Sequence, residues 1–193
     1  MVNVGASVAR SKQLERDAYY IGLARAVQAG ADCLGTKVGA VVVLRNRVVA
    51  TGFNGTPEGF ANCSDDGCVR CHDRWLEKQG RSVEMTDPAH TAGQALDRCI
   101  CVHAEQNAFM SSARFGIALE GATLYTTQSP CFSCLKESVQ VGIRRIVYGE
   151  RYGATYNEPI ADQYSALCAH LAGDDPTCFE ILGGAGTRQP NVT

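Results

Sequence analysis

Two short segments carry the residue types that do chemistry: Cys101-Val-His103-Ala-Glu105 and Ser129-Pro130-Cys131-Phe-Ser-Cys134. Either alone is weak, since His-x-Glu recurs by chance and Cys-x2-Cys serves redox pairs as well as zinc. Together, each opening a stretch of helical pattern with a strand-like run between them, they describe a metal centre. Cys131 and Cys134 are three apart, so in a first helical turn both sulfurs face one side. The positive end of the helix lowers the pKa of thiols placed there. His103, at the start of the other helix, adds a neutral nitrogen. Three protein ligands leave the fourth tetrahedral position of zinc open to water, which marks a catalytic rather than a structural site. Zinc lowers the pKa of water from 15.7 toward about 7. Two thiolates weaken that effect, so a base has to stand nearby. Glu105 suits the role of proton shuttle, provided it reaches back from the first turn, because residues two apart do not share a helix face. The competing reading closes the site with a fourth ligand such as Cys101 and leaves Glu105 a solvated helix residue.

The elements that must hold these residues follow from periodicity and punctuation. Residues 1–10 read as a loose tail. Ser11 to Ala29 places Leu14, Ala18, Ile21, Ala24 and Val27 at spacings of three and four before Gly30, an amphipathic helix. Val38 to Leu44 and Val48 to Phe53 are β-rich runs around a turn at Asn46-Arg47, a hairpin. Residues 54–102 are rich in Gly, Pro, Asp, Cys and His, with one helical stretch from Cys71 to Gln79. A connection this long needs a function or a tie. Beyond it the pattern is regular: helix His103–Phe115, strand Ala122–Thr127, helix Cys131–Val141, strand Arg145–Tyr148, helix Pro159–Leu171, strand Cys178–Leu182, then a tail from Gly183. Alternating units of this length predict parallel strands with right-handed crossovers and helices covering the sheet, in a single domain over 1–193.

The chain has 193 residues, with 18 Lys+Arg against 20 Asp+Glu and a net charge of −2. That balance argues against a nucleic-acid partner held by phosphate neutralisation. The longest apolar run, Gly39 to Leu44, is far short of the ~20 residues that span a bilayer. The first residues carry no signal pattern, and the expected location is cytoplasmic. Ten cysteines then point to metal ligation rather than disulfides.

His-x-Glu followed by Pro-Cys-x-x-Cys resembles the signature of zinc nucleobase deaminases. The chain is similar, from about Ala31 to Tyr152, to deoxycytidylate (dCMP) deaminases of the bacterial and phage-type branch. The pieces that carry the resemblance are Thr36-Lys-Val-Gly-Ala-Val-Val-Val43, Ala50-Thr-Gly-Phe-Asn-Gly-Thr-Pro57, Val102-His-Ala-Glu-Gln-Asn-Ala108, Leu119-Glu-Gly-Ala-Thr-Leu-Tyr125 and Gly142-Ile-Arg-Arg-Ile-Val-Tyr148. Phe53 stands where the family motif has Tyr. The resemblance implies an α/β/α cytidine deaminase-like fold with a five-stranded mixed sheet and hydrolytic conversion of dCMP to dUMP and ammonia. It also implies a homo-hexamer activated by dCTP and inhibited by dTTP. The rivals are a deaminase of another base or of tRNA adenosine using the same zinc site, and a non-catalytic zinc module.

By position, the resemblance implies that Asn54 contacts the sugar, that backbone groups at Ala104 and Ser129-Pro130 contact the base, and that Tyr152 approaches the substrate. Arg114 matches an arginine associated with phosphate or subunit contacts. Lys37 and Arg145 are further cations within reach of a phosphate, with a solvated face as the plain alternative. The phage-type branch also implies a second, structural zinc on positions matching Cys33 and Cys63, and the bacterial pattern adds Cys68 and Cys99. A rival grouping uses Cys71, His72, His90 or Cys101, and free buried cysteines are the plain alternative. Cys168 and Cys178 read as packing residues.

Overall fold

A computed structural model describes residues 4–82, 98–152, 156–172 and 179–181; His90, Cys178 and the tail from Gly183 lie outside them. The elements run α1 (Val4–Gln28), β1 (Gly39–Leu44), β2 (Arg47–Phe53), α2 (Val69–Lys78), α3 (Ala104–Arg114), β3 (Thr123–Gln128), α4 (Phe132–Gln140), β4 (Arg145–Glu150), α5 (Glu158–Ala172) and β5 (Phe179–Ile181). A short 3-10 turn, Cys63–Asp65, precedes α2.

The five strands form one mixed sheet in the order β2-β1-β3-β4-β5. β1 pairs antiparallel with both β2 and β3, while β3, β4 and β5 run parallel. Alternation along the central strands divides the apolar residues between two layers. Val41, Val43, Tyr125 and Val147 pack with Tyr20, Ile21 and Ala24 of α1. Ala40, Val42, Leu124 and Ile146 pack on the opposite face with Ala104, Ala108 and Phe109 of α3, Leu135 of α4 and Leu171 of α5. This is the α/β/α sandwich expected from the alternating pattern.

Two local expectations need correction. The first helix begins at Val4, seven residues before the expected start at Ser11. Once a helix is nucleated each further residue costs little, and Ala6, Ala9 and Arg10 are good helix formers. The hairpin turn is Arg45-Asn46 rather than Asn46-Arg47, with φ of 50° and 62°. Two left-handed residues make the turn whose twist matches the flanking strands, and the Asn46 carbonyl accepts a hydrogen bond from Tyr20 at 3.1 Å.

β2 delivers the first wall of the site. A one-residue irregularity opposite Val42/Val43 sets its later alternation so that Ala50, Gly52 and then Asn54 point inward. Gly52 lies flat on α3, where an added Cβ would run into the Ala104 carbonyl and the Ala108 nitrogen. Both are helix backbone and cannot swing aside. Gly52→Ala should therefore displace the start of α3 and cost about 1–3 kcal/mol. A urea midpoint unchanged from wild type would contradict this close packing.

Candidate metal centre and active site

α3 and α4 start side by side at the ends of the crossovers flanking β3. His103 is the residue before α3 and Cys131 the residue before α4, both in extended backbone conformation, which turns their side chains into the space between the helix starts. His103 Nδ1 lies 3.4 Å from both Cys131 Sγ and Cys134 Sγ. Zinc bound tetrahedrally at about 2.05 Å to nitrogen and 2.3 Å to sulfur separates those donors by about 3.5 Å. The three side chains thus fit the ion as three ligands of four. The electrostatics agree. Burial pushes the His103 imidazole down, but the Cys131 thiolate outweighs it and raises the ring to about 9. Cys131 is drawn down to about 4, first by the hydrogen bond with Cys134 and then by His103, against burial. Positive charge is favoured at this point between the three donors.

Glu105 is 4% exposed. It lines the cleft with His103 and Cys131, and its carboxyl lies close enough to its own backbone N–H and to Cys134 for both to favour its charged form, so it turns back over the first turn of α3 toward the sulfurs. Burial pushes it up to about 7, with the Cys131 charge adding to the rise and His103 opposing it. A carboxyl that changes protonation near neutrality beside a metal site is suited to carry protons.

The two helix starts are tied together by residues that the spacing argument did not single out. The His103 N–H donates to Gln106 Oε1 at 3.1 Å, and Gln106 Nε2 donates to Glu137 Oε1 of α4 at 2.9 Å. Ser133 Oγ donates to the same Glu137 oxygen at 3.2 Å. The signal was present, because a Gln three residues after a helix-capping position is half of a capping box.

A cleft of about 250 Å³ opens over this centre, lined by His103, Ala104, Glu105, Cys131, Ser129, Gln128, Asn54 and Tyr152. Asn54 is largely committed to the fold: its Oδ1 accepts from the Val38 N–H at 2.7 Å and its Nδ2 donates to the Thr36 carbonyl at 2.8 Å. One amide hydrogen remains for a ligand. Asn54 is not among the described residues of positive φ, so the Asn-Gly step does not act as a left-handed turn. Ser129 Oγ accepts from the Tyr152 N–H at 2.7 Å, fixing Tyr152 at the rim. Pro130 is buried beneath the cleft and its carbonyl accepts from Tyr164 at 2.9 Å.

The cations lie elsewhere than expected. Lys37 is exposed and does not line the cleft. Arg114 pairs on the surface with Glu58 at 2.8 Å. Arg145 is held against α1 by a two-pronged pair with the buried Asp17, 2.8 Å in each arm. The cations that do line the cleft are Arg70 and Arg74 of α2. Burial pushes the Tyr152 phenol up and the Cys131 charge adds to the rise, while Arg74 and Arg70 oppose it, so their charge reaches the rim. Their spacing of four on one helix face is the available signal, hidden because the helical pattern in the sequence starts at Cys71 whereas α2 starts at Val69.

The remaining cysteines gather beside the cleft. Cys33, Cys63, Cys68, Cys71 and Cys101 are buried together with the partly buried Cys99 against them. The expected quartet Cys33, Cys63, Cys68 and Cys99 is not brought to a common point. Cys33 and Cys63 group with Cys71 and Cys101, and Cys68 and Cys99 group with the same two. Spacing shows which cysteines are close in the chain, not which ones stand between two others. His72 lies outside both groups and pairs with Asp66 at 3.6 Å. Cys168 packs against the α3/α4 core, as expected.

The sandwich, with its metal ligands at the starts of two adjacent helices, is the cytidine deaminase-like fold. A family model described as the cytidine and deoxycytidylate deaminase zinc-binding region matches residues 14–150, and the chain belongs to that family. It is 40% identical over 132 residues to the deoxycytidylate deaminase of Mycobacterium phage D29, covering 68% of this chain and 92% of the phage protein. Against the deoxycytidylate deaminase of Schizosaccharomyces pombe it is 36% identical over 157 residues, 81% of this chain but 42% of that one, so the chain spans about two fifths of the fungal relative's length. Among solved structures, the dCMP deaminase of cyanophage S-TIM5 in complex with dCMP and dUMP matches with a TM-score of 0.56 and 29% identity, over 79% of this chain and 92% of that chain. No helix among the described residues is long and apolar enough to cross a membrane.

Proposed function

We propose that this chain catalyses the hydrolytic deamination of dCMP to dUMP and ammonia, as a cytoplasmic enzyme supplying deoxyuridylate for dTTP synthesis. The observation that carries the proposal is the approach of His103, Cys131 and Cys134 to one another at zinc-ligand spacing with the Glu105 carboxyl folded over them. When bound there, zinc supplies a Lewis acid that makes a water nucleophilic near neutral pH. Glu105 accepts one proton of the attacking water and delivers it to the ring nitrogen of cytosine, where it stays, then carries the second, from the hydroxyl newly joined to the ring carbon, to the departing amine. The backbone around Ala104 and Ser129-Pro130 holds the edge of the base. The Ala104 N–H, at the first position of α3, has no carbonyl partner within its own helix and can serve it. The remaining Asn54 amide hydrogen meets the sugar, and Tyr152 closes the rim.

Arg70 and Arg74 supply what a nucleotide requires and a free base does not, a positive wall for the 5′-phosphate. The family resemblance also supports a homo-hexamer regulated by dCTP and dTTP, in which Arg114 and Lys37 have room to contribute to contacts outside the cleft. The test compares dCMP with deoxycytidine, adenosine and guanine on the zinc-loaded protein, with Arg74→Ala beside it. Wild type should favour dCMP. Because a charged hydrogen bond is worth about 1.5–3 kcal/mol, Arg74→Ala should raise KM for dCMP on the order of 10- to 100-fold with little change for deoxycytidine. Preferred release of ammonia from a purine, or an equal effect of Arg74→Ala on both cytosine substrates, would contradict the reading.

A further inference from the structure

The six-cysteine cluster beside the cleft is more than a second zinc site needs. One tetrahedral zinc takes four thiolates. Here six sulfurs form two sets of four, Cys33/Cys63/Cys71/Cys101 and Cys68/Cys71/Cys99/Cys101, each with all its sulfurs within 4.8 Å of one another and with Cys71 and Cys101 common to both. Two tetrahedral ions require eight sulfur contacts, and four terminal thiolates plus two shared ones supply that number. We propose that this cluster binds two zinc ions bridged by the thiolates of Cys71 and Cys101, with Cys33 and Cys63 completing one tetrahedron and Cys68 and Cys99 the other.

The distances support zinc rather than disulfides or an iron–sulfur cluster. Cys33–Cys71, Cys68–Cys99 and Cys71–Cys99 are 3.7, 3.7 and 3.6 Å apart between sulfurs. A disulfide bond is about 2.05 Å long. The edge of a sulfur tetrahedron around zinc at 2.3 Å is about 3.8 Å. Cysteines on different irons of an iron–sulfur cluster stand farther apart, because inorganic sulfide lies between them. The Leu34 N–H also points at Cys63 Sγ, at 3.3 Å, a contact that suits a thiolate carrying negative charge. Sharing two sulfurs matters for that charge: six thiolates around two Zn²⁺ leave a net −2, whereas two separate four-thiolate sites would each carry −2.

The placement gives the cluster a task. Its ligands come from the segment before β1, from the 3-10 turn, from α2 and from the segment before α3. The main element contact of α2 is with the 3-10 turn rather than with the sheet. The two ions therefore fasten α2, with Arg70 and Arg74, to the side of the cleft. Cys33, Cys71, Cys99 and Cys101 line that cleft together with His103 and Glu105.

The test uses the intact chain. Elemental analysis of zinc-loaded protein should find three zinc ions per chain, two in the cluster and one at His103/Cys131/Cys134. Exchange of zinc for ¹¹³Cd should give two cadmium resonances split by scalar coupling to each other through the shared sulfurs, and a third, uncoupled one. Fewer than two zinc ions per chain beyond any bound at His103/Cys131/Cys134, iron with acid-labile sulfide, or cadmium signals with no mutual coupling would overturn the proposal. Neither readout depends on turnover, so failure here leaves the deaminase reading untouched, and failure of that reading leaves the cluster.

Discussion

Glu105→Gln should leave a folded, zinc-loaded protein whose turnover of dCMP falls by roughly 10²–10⁴-fold, the usual worth of a positioned acid–base group. The carboxyl is buried near Cys134 and the metal ligands without being one of them, so the amide, nearly the same size, fills its place but accepts no proton. Zinc content and the unfolding midpoint should match wild type, and KM for dCMP should change far less than kcat. A decrease of only a few-fold would mean that water loses its proton elsewhere. Loss of zinc in the variant would mean that Glu105 acts as a ligand.

The largest expected effect on stability lies on the opposite face of the sheet. Asp17 of α1 is wholly buried and receives both arms of Arg145, the Tyr125 hydroxyl at 2.8 Å and Gln13 at 3.0 Å. Burial pushes the Asp17 carboxyl up, but the Arg145 pair and the Tyr125 and Gln13 hydrogen bonds outweigh it and hold it below the usual carboxylate range. Its contribution in wild type is present above the unfolded pKa of about 3.9 and is lost as pH falls through the lower folded value. Arg145→Met removes the counter-charge, strands a buried carboxylate and should cost about 3–5 kcal/mol near neutral pH. Burial then dominates and the folded pKa of Asp17 rises above 3.9. Its sign reverses: the variant gains relative stability as pH falls through that raised value. Urea midpoints measured from pH 7 down to pH 4 should show the gap to wild type narrowing on acidification, and Asp17→Asn on top of Arg145→Met should close much of it. A gap constant with pH would show that Asp17 does not carry the effect.

What the sequence revealed and what it concealed follow from how local each constraint is. Zinc ligation writes itself into short spacings, so His103, Cys131 and Cys134 could be paired before any fold was known. Strand alternation and the glycines after each helix made the layer order legible. The Asp17–Arg145 pair joins residues 128 apart, and neither position differs in type from a surface charge. Arg145 therefore read as a solvated cation. The cysteine cluster failed for a different reason. All six residues were visible, but which two are shared depends on how three loops and a helix converge, and spacing holds no record of that. Arg70 and Arg74 were within reach of the same i, i+4 rule used elsewhere, had the helix start been placed at Val69. Arg114 was tied to phosphate or subunit contacts only by likeness to a family position, and the structure pairs it with Glu58 on the surface.

The central claim is that His103, Cys131, Cys134 and Glu105 together deliver a water to the amine-bearing carbon of cytosine. Turnover of dCMP in ¹⁸O-water, followed by mass spectrometry of the nucleotide and assay of ammonia, tests it most directly. The account predicts dUMP carrying one ¹⁸O atom per molecule, in equal amount with ammonia, and none above background from Glu105→Gln. Zinc-loaded, folded wild-type protein that yields no labelled dUMP would contradict it.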